Sequence, residues 1–233
     1  MTTKQSNLIN YCYTKGVVIN NIEDYTNKDS VLKCTCPFGH ILSGTVDLLL
    51  KTDFECIECL IKSQKNIKDT TPYFLSLDAA TYVTGMSVFN KEGQVLWHQA
   101  LSIDKRKDYF VRLEEIVNTV KDIIKKNNIQ CVILEDIQYQ QNPALFKKLA
   151  MLQGVIRYMI VNVLHIELIT AMADEWRAYN HIYGAKRQEQ KNAAIERAKM
   201  IYLEDISEDE AESIFLGRYG IHLYYQNRKM EEE

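Results

Sequence analysis

Leu77-Asp78-Ala79-Ala80-Thr81-Tyr82-Val83-Thr84-Gly85-Met86-Ser87-Val88 decides how this chain is read. Upstream, Tyr73-Phe74-Leu75-Ser76-Leu77 is an apolar run of strand length that closes on a carboxylate. Downstream, Thr84–Phe89 is a second run, and the turn Asn90-Lys91-Glu92-Gly93 leads to a third, Val95–Ile103. Short connections make these three strands antiparallel neighbours. A carboxylate at the end of a buried strand is costly unless it is paired or bound to metal. On its own, Asp78 reads equally as a strand-end residue that caps a turn with Thr81.

Three further acids change the balance. Glu135 closes the apolar run Cys131-Val132-Ile133-Leu134, which has the continuous hydrophobicity of a central strand. Asp209 and Glu212 stand three apart in Asp209-Glu210-Ala211-Glu212-Ser213-Ile214, so they share one face of a helix. Taken singly, Glu135 and Asp136 are solvated residues after a strand, and an acidic helix start is ordinary dipole chemistry. Taken together, acids on a first strand, on the next parallel strand and on a late helix can meet at one point. Converging carboxylates are the equipment of a phosphodiesterase that works through divalent cations.

Between these acids, helices and strands alternate. Tyr109, Leu113, Ile116, Val120 and Ile123 repeat at helical spacing. Residues 143–163 form a long helix with Pro143 in its first turn, 166–169 a short strand, and 187–202 and 208–219 two more helices. The order is three strands, then helix, strand, helix, strand, helix, helix. The helix at 143–163 carries Leu149, Leu152, Ile156, Met159 and Ile160 together with Met151, Val155 and Val163. That is more apolar surface than one sheet-facing stripe requires.

Residues 1–62 have a different character. Cys34, Cys36, His40, Cys56 and Cys59 crowd there, and Ser63–Pro72 is a polar stretch read as a linker to a domain at 73–233. Cys36-Pro37-Phe38-Gly39-His40 and Cys56-Ile57-Glu58-Cys59 form two close pairs of the kind that pinch one tetrahedral zinc. Cys34 is a spare thiol able to replace either member of the first pair. The metal would supply folding energy that a module of this size lacks.

The whole chain has 233 residues, 46% hydrophobic and 25% charged, with a net charge of −3. That is a globular composition with no global signal for nucleic acid, so any DNA contact rests on local basic patches. The stretch 176–199 supplies one, with six Lys or Arg against two Glu. No run is long enough for a membrane span, and the first residues lack a secretory apolar core, so the expected compartment is the cytoplasm.

The stretch 77–88, the strand Val132–Glu135 and the helix start at Asp209–Ile214 resemble the first two strands, the second acidic strand and the terminal acidic helix of the RuvC-like Holliday junction resolvases. The likeness covers residues 72–220 and is closest to the phage members, in which Trp176-Arg177 and the Lys186-Arg187 to Lys191 run also find counterparts. It implies an α/β fold of the ribonuclease-H-like kind, three antiparallel strands followed by alternating helices and strands. It implies cleavage of branched DNA, most directly a four-way junction, in the host cytoplasm if the chain is phage-encoded. Two Mg2+ (or Mn2+) ions would be held by Asp78, Glu135, Asp209 and Glu212, with Lys191 nearest the chemistry and Lys186, Arg187 and Lys191 on phosphates. Tyr139 is the nearest aromatic after the second acid, where the family carries one that opens the junction. The last acid of the family is Asp; here it is Glu212, one methylene longer. The resemblance also implies a homodimer through the helix at 143–163. Residues 25–59 resemble the small zinc modules of phage and bacterial nucleases, a register that favours Cys36 over Cys34; Glu58 stands where those modules carry a basic residue. Competing readings are a ribonuclease-H-like nuclease for other branched DNA or RNA–DNA hybrids, and a DNA-binding module without catalysis.

Overall fold

The computed structural model describes residues 2–138 and 142–232. The chain divides into two compact units, Met1–Asn66 and Ile67–Glu233.

The first unit starts with α1 (Thr3–Thr14), opened by a capping box in which Gln5 N–H donates to Thr2 Oγ1 (3.3 Å) and Thr2 N–H to Gln5 Oε1 (2.8 Å). Then come β1 (Val18–Ile19), β2 (Val31–Thr35), β3 (Ile41–Thr45), α2 (Val46–Lys51) and α3 (Ile57–Lys65). The three strands pair antiparallel in the order β1-β2-β3. Leu8, Cys12, Leu32, Cys34, Val46 and Phe54 form its core. Helix α3 runs three residues into the stretch read as a linker from the sequence.

The second unit is built on a five-stranded mixed sheet. Its elements are β4 (Phe74–Asp78), β5 (Val83–Phe89), β6 (Val95–Ser102), α4 (Tyr109–Lys126), β7 (Cys131–Glu135), α5 (Pro143–Tyr158), β8 (Glu167–Ala171), α6 (Ala173–Tyr179), α7 (Arg187–Tyr202) and α8 (Glu208–Glu232). The strand order is β6-β5-β4-β7-β8. β4, β5 and β6 are antiparallel neighbours, while β7 pairs parallel with both β4 and β8. The β5–β6 turn closes on Gly93 at φ 80°, with Gly93 N–H donating to Asn90 O. Asp108 caps α4, and Asn142 caps α5 ahead of Pro143.

Alternation along the strands decides where the acids go. Leu75 and Leu77 of β4, Met86 and Val88 of β5, and Val132 and Leu134 of β7 share one core with Ile116 and Val120 of α4 and Leu152 and Ile156 of α5. The intervening residues face the other way, toward α8. A Cβ on Gly217 of α8 would meet the Phe89 ring at 2.3 Å, and Ser87 and Ser213 join hydroxyls at 2.6 Å. Asp78 and Glu135 have the parity of that second face, so both point to the side on which α8 lies.

Two elements differ from the sequence expectation. The helix expected at 143–163 is α-helical to Tyr158 and ends in a π-helical turn, Met159–Val163. Ile156 at its centre is 0% exposed against the sheet, whereas Val155 is 39% exposed. The last helix continues thirteen residues past the expected 219 because Ile221 and Tyr224 still pack on the sheet.

Candidate metal-dependent nuclease site

Asp78 is the last residue of β4, and its cross-strand partner is Gly85. The absence of a side chain there lets α8 come in: a Cβ on Gly85 would lie 2.0 Å from the Asp209 carbonyl oxygen. The first turn of α8 therefore sits directly over the strand pair that carries Asp78. One turn on, Glu212 is 4% exposed. Glu135 arrives from the end of β7, beside β4.

Electrostatic interactions link the four acids. Burial pushes the Asp78 carboxyl well above the usual range, and the charges of Glu135, Glu212 and Asp209 push it further, with Arg187 opposing. Burial also raises Glu135, against the pull of the Trp176 hydrogen bond. Asp209 is raised by burial and then by Glu208 and Glu212, with Lys191 opposing. Four acids from three elements thus act on one another electrostatically, with Arg187 and Lys191 opposing; among the described residues the ligand atoms near enough to share one ion are those of Cys36, His40, Cys56 and Cys59. The donor set of the four acids is all hard oxygen, which fits a divalent cation of the magnesium type.

Asp136, the neighbour of Glu135, is held elsewhere: Arg157 of α5 donates to it at 2.7 Å. Lys191 forms an ion pair with Glu208, next to Asp209, and does not bond any of the four acids among the described contacts. Arg187, in the first turn of α7, is the cation that acts on both Asp78 and Glu135. Lys186 is the exposed residue that precedes it. Tyr139 lies outside the described residues.

Helix α6 was not read from the sequence as an element, and it supplies two contacts to the site. Trp176 Nε1–H donates to Glu135 Oε2 at 2.7 Å, and Arg177 Nη2–H donates to Glu212 Oε1 at 2.9 Å.

In the first unit, Cys36, His40, Cys56 and Cys59 place one ligand atom each within 4.8 Å of all the others. Cys36 Sγ and Cys59 Sγ are 3.7 Å apart, and His40 Nδ1 is 3.5 Å from Cys36 and Cys56. A tetrahedron with metal–sulfur bonds of about 2.3 Å has edges of about 3.8 Å, so the cage fits a metal ion. Burial raises the Cys36 thiol, but the Phe38 and His40 amides bring it down to about 7. Cys59 is pushed up to about 12 by burial and by its thiol neighbours. Cys34, fully buried, is turned into the apolar core, and burial raises it to about 11. Glu58, unexpected in such a module, lies 3.5 Å from His40 Nε2, and Lys62 Nζ is nearer at 2.6 Å.

The mixed five-stranded sheet with its flanking helices is a fold that this chain shares with RuvC structures. No family model matches the chain. Among characterised proteins, it is similar to the crossover junction endodeoxyribonuclease RuvC of Geotalea uraniireducens, 28% identical over 141 residues that make up 59% of this chain and 80% of that protein. Thermus thermophilus RuvC in complex with a Holliday junction substrate shares the fold with a TM-score of 0.53 at 11% identity, over 66% of this chain and 94% of that one. A second Thermus thermophilus RuvC structure gives 0.51 at 12% identity, over 67% and 96%. Among the described residues, no helix is long and apolar enough to cross a membrane.

Proposed function

We propose that this chain is a divalent-metal-dependent endonuclease that cuts branched DNA, with the four-way junction as its substrate. The observation that carries the reading is the cluster of Asp78, Glu135, Asp209 and Glu212, in which burial and three neighbouring acids disfavour the charged form of Asp78. Cations relieve that repulsion and justify its cost. The curated relative with this fold is a crossover junction endodeoxyribonuclease, which points to the junction rather than to simple duplex.

In this reading Asp78, Glu135, Asp209 and Glu212 would hold two Mg2+ (or Mn2+) ions. When bound, such ions activate a water and stabilise the leaving 3′ oxygen of a phosphodiester. The chain's own residues do the rest. The strand ends and α8 hold the carboxylates at fixed spacing. Arg187 and Lys186, at the start of α7, offer positive charge for the phosphates beside the acids. Lys191 balances the Glu208–Asp209 pair and so tempers the negative charge a DNA strand must approach.

Cys36, His40, Cys56 and Cys59 hold one structural zinc, with no open position for chemistry. Leu145, Met151, Val155 and Tyr158 leave an exposed apolar strip on α5, which suits burial against a second copy. A two-fold dimer matches a junction that has two equivalent strands to cut. Reduced, metal-binding thiols suit the cytoplasm. The test is a panel of labelled four-way junction, linear duplex and RNA–DNA hybrid, each with magnesium and with chelator. Magnesium-dependent cutting of the junction alone is expected. Preference for the hybrid would replace the junction with an RNA-containing substrate.

A further inference from the structure

Glu135 and Glu212 come from different elements, and nothing in β7 or α8 alone fixes both side chains. Helix α6 links them through two consecutive residues. Trp176 is fully buried and has one polar atom, the indole N–H, which goes to Glu135 Oε2 at 2.7 Å. Arg177 follows with its guanidinium 4.6 Å over the Trp176 ring and one N–H on Glu212 Oε1 at 2.9 Å. The side chains of this ion pair are 12% and 5% exposed.

The helix carrying the pair is itself tied down. Asn180 Nδ2–H donates to Trp176 O (2.7 Å) and to Phe215 O of α8 (2.8 Å). Gln153 of α5 donates to the main-chain oxygen of Glu135 at 2.6 Å. Glu135 is therefore held at side chain and backbone, and Glu212 at its side chain, before any ligand arrives. Each donor engages one oxygen of its carboxylate.

We propose that Trp176 and Arg177 are positioning residues that set how tightly the acid cluster takes a divalent cation, and that they have no part in holding DNA. The proposal rests on the reading of the cluster as a metal site. Its physical basis is preorganisation: a carboxylate already locked in one rotamer loses less freedom when it coordinates. Burial separates Arg177 from the exposed basic residues of α7, since a guanidinium enclosed against an indole cannot track a phosphate backbone.

Three variants test this. Trp176→Phe keeps a ring and removes the donor. Arg177→Gln removes the guanidinium, and Arg177→Lys keeps a charged donor. Mn2+ binding to the DNA-free protein is followed by electron paramagnetic resonance, and junction affinity is measured in chelator by gel shift. Trp176→Phe and Arg177→Gln are expected to weaken Mn2+ binding by about 10–100-fold, the usual cost of losing an outer-shell partner. Junction affinity stays at the wild-type value, and Arg177→Lys recovers part of the loss. If Trp176→Phe fails to fold by circular dichroism, the Arg177 pair decides the question. Folded Arg177→Gln with wild-type Mn2+ affinity overturns the positioning role, as does loss of junction affinity in place of metal affinity. Wild-type protein that binds no Mn2+ sinks the metal-site reading itself, a different result from wild-type binding with indifferent variants.

Discussion

Gly85→Ala tests how the site is assembled. The new Cβ would stand 2.0 Å from the Asp209 carbonyl oxygen, whereas ordinary contact begins at 3.4 Å, so the first turn of α8 must retreat by about 1.4 Å. The obstacle is backbone on both sides, and no flexible side chain can swing away. Overpacking of this kind costs about 1–3 kcal/mol. For a unit of this size that is about 2–4 °C of melting temperature per kcal/mol. The functional cost is larger, because metal ligands tolerate only about 0.2 Å and a misplacement near 1 Å costs about 100-fold in rate. Magnesium-dependent junction cleavage is expected to fall at least about 100-fold, with the fold and junction binding retained. Gly154→Ala in α5 is the control: nothing lies within 4 Å of its added Cβ, so cleavage should hold and melting should rise, by about 1 kcal/mol of helix preference. A Gly85→Ala protein that melts and cuts like wild type would refute the placement of Asp209 beside Asp78.

Other expectations follow from the same geometry. Elemental analysis should find one zinc in wild type and none in Cys56→Ser, whose first unit should melt; zinc at one equivalent in that variant would contradict the four-ligand cage. Val155→Glu should shift sedimentation toward monomer with melting unchanged, while Ile156→Glu, at a fully buried position, should unfold the second unit, as circular dichroism will show. Asp78 is raised in the folded state, so with chelator present its own contribution to the stability of the unit is fully present below the unfolded carboxylate value of about 3.9. It loses that stability as pH rises through the folded value, because the folded state holds the proton more tightly. The difference in melting temperature between Asp78→Asn and wild type should therefore widen in favour of the variant from pH 5 to pH 8 and shrink when magnesium is added. A difference independent of pH would remove Asp78 from the buried cluster.

The acids were legible in the sequence because each breaks a local rule: Asp78 and Glu135 end apolar strands, and Asp209 with Glu212 repeats at helical spacing. The strands were legible for the same reason, since β4 and β7 are apolar on both faces and short turns bound β5 and β6. Helix α7 was read at its true ends, Arg187 and Tyr202. Helix α6 was not read, because seven residues with only Ala173 and Trp176 buried show no periodicity. Gly217 lies within the expected span of α8, and Gly220, a poor helix former, opens its extension. In the fold they are contact points, since a Cβ on Gly220 would meet Ile133 at 2.3 Å. The contacts of Trp176 and Arg177 with the acids span more than thirty residues of chain, and no local pattern encodes them. Ile156 sat in an apolar helix whose inward face the sequence left undecided; only the packing against β4 and β7 distinguishes it from Val155.

The most direct test of the account is cleavage of a labelled four-way junction by wild-type protein and by Asp78→Asn, in magnesium and in chelator, with gel-shift binding in parallel. Wild type should cut in magnesium and not in chelator, and Asp78→Asn should bind the junction with wild-type affinity and leave it intact. Cutting by Asp78→Asn at the wild-type rate, or cutting by wild type in chelator, would contradict the claim that these four carboxylates do their work through divalent metal.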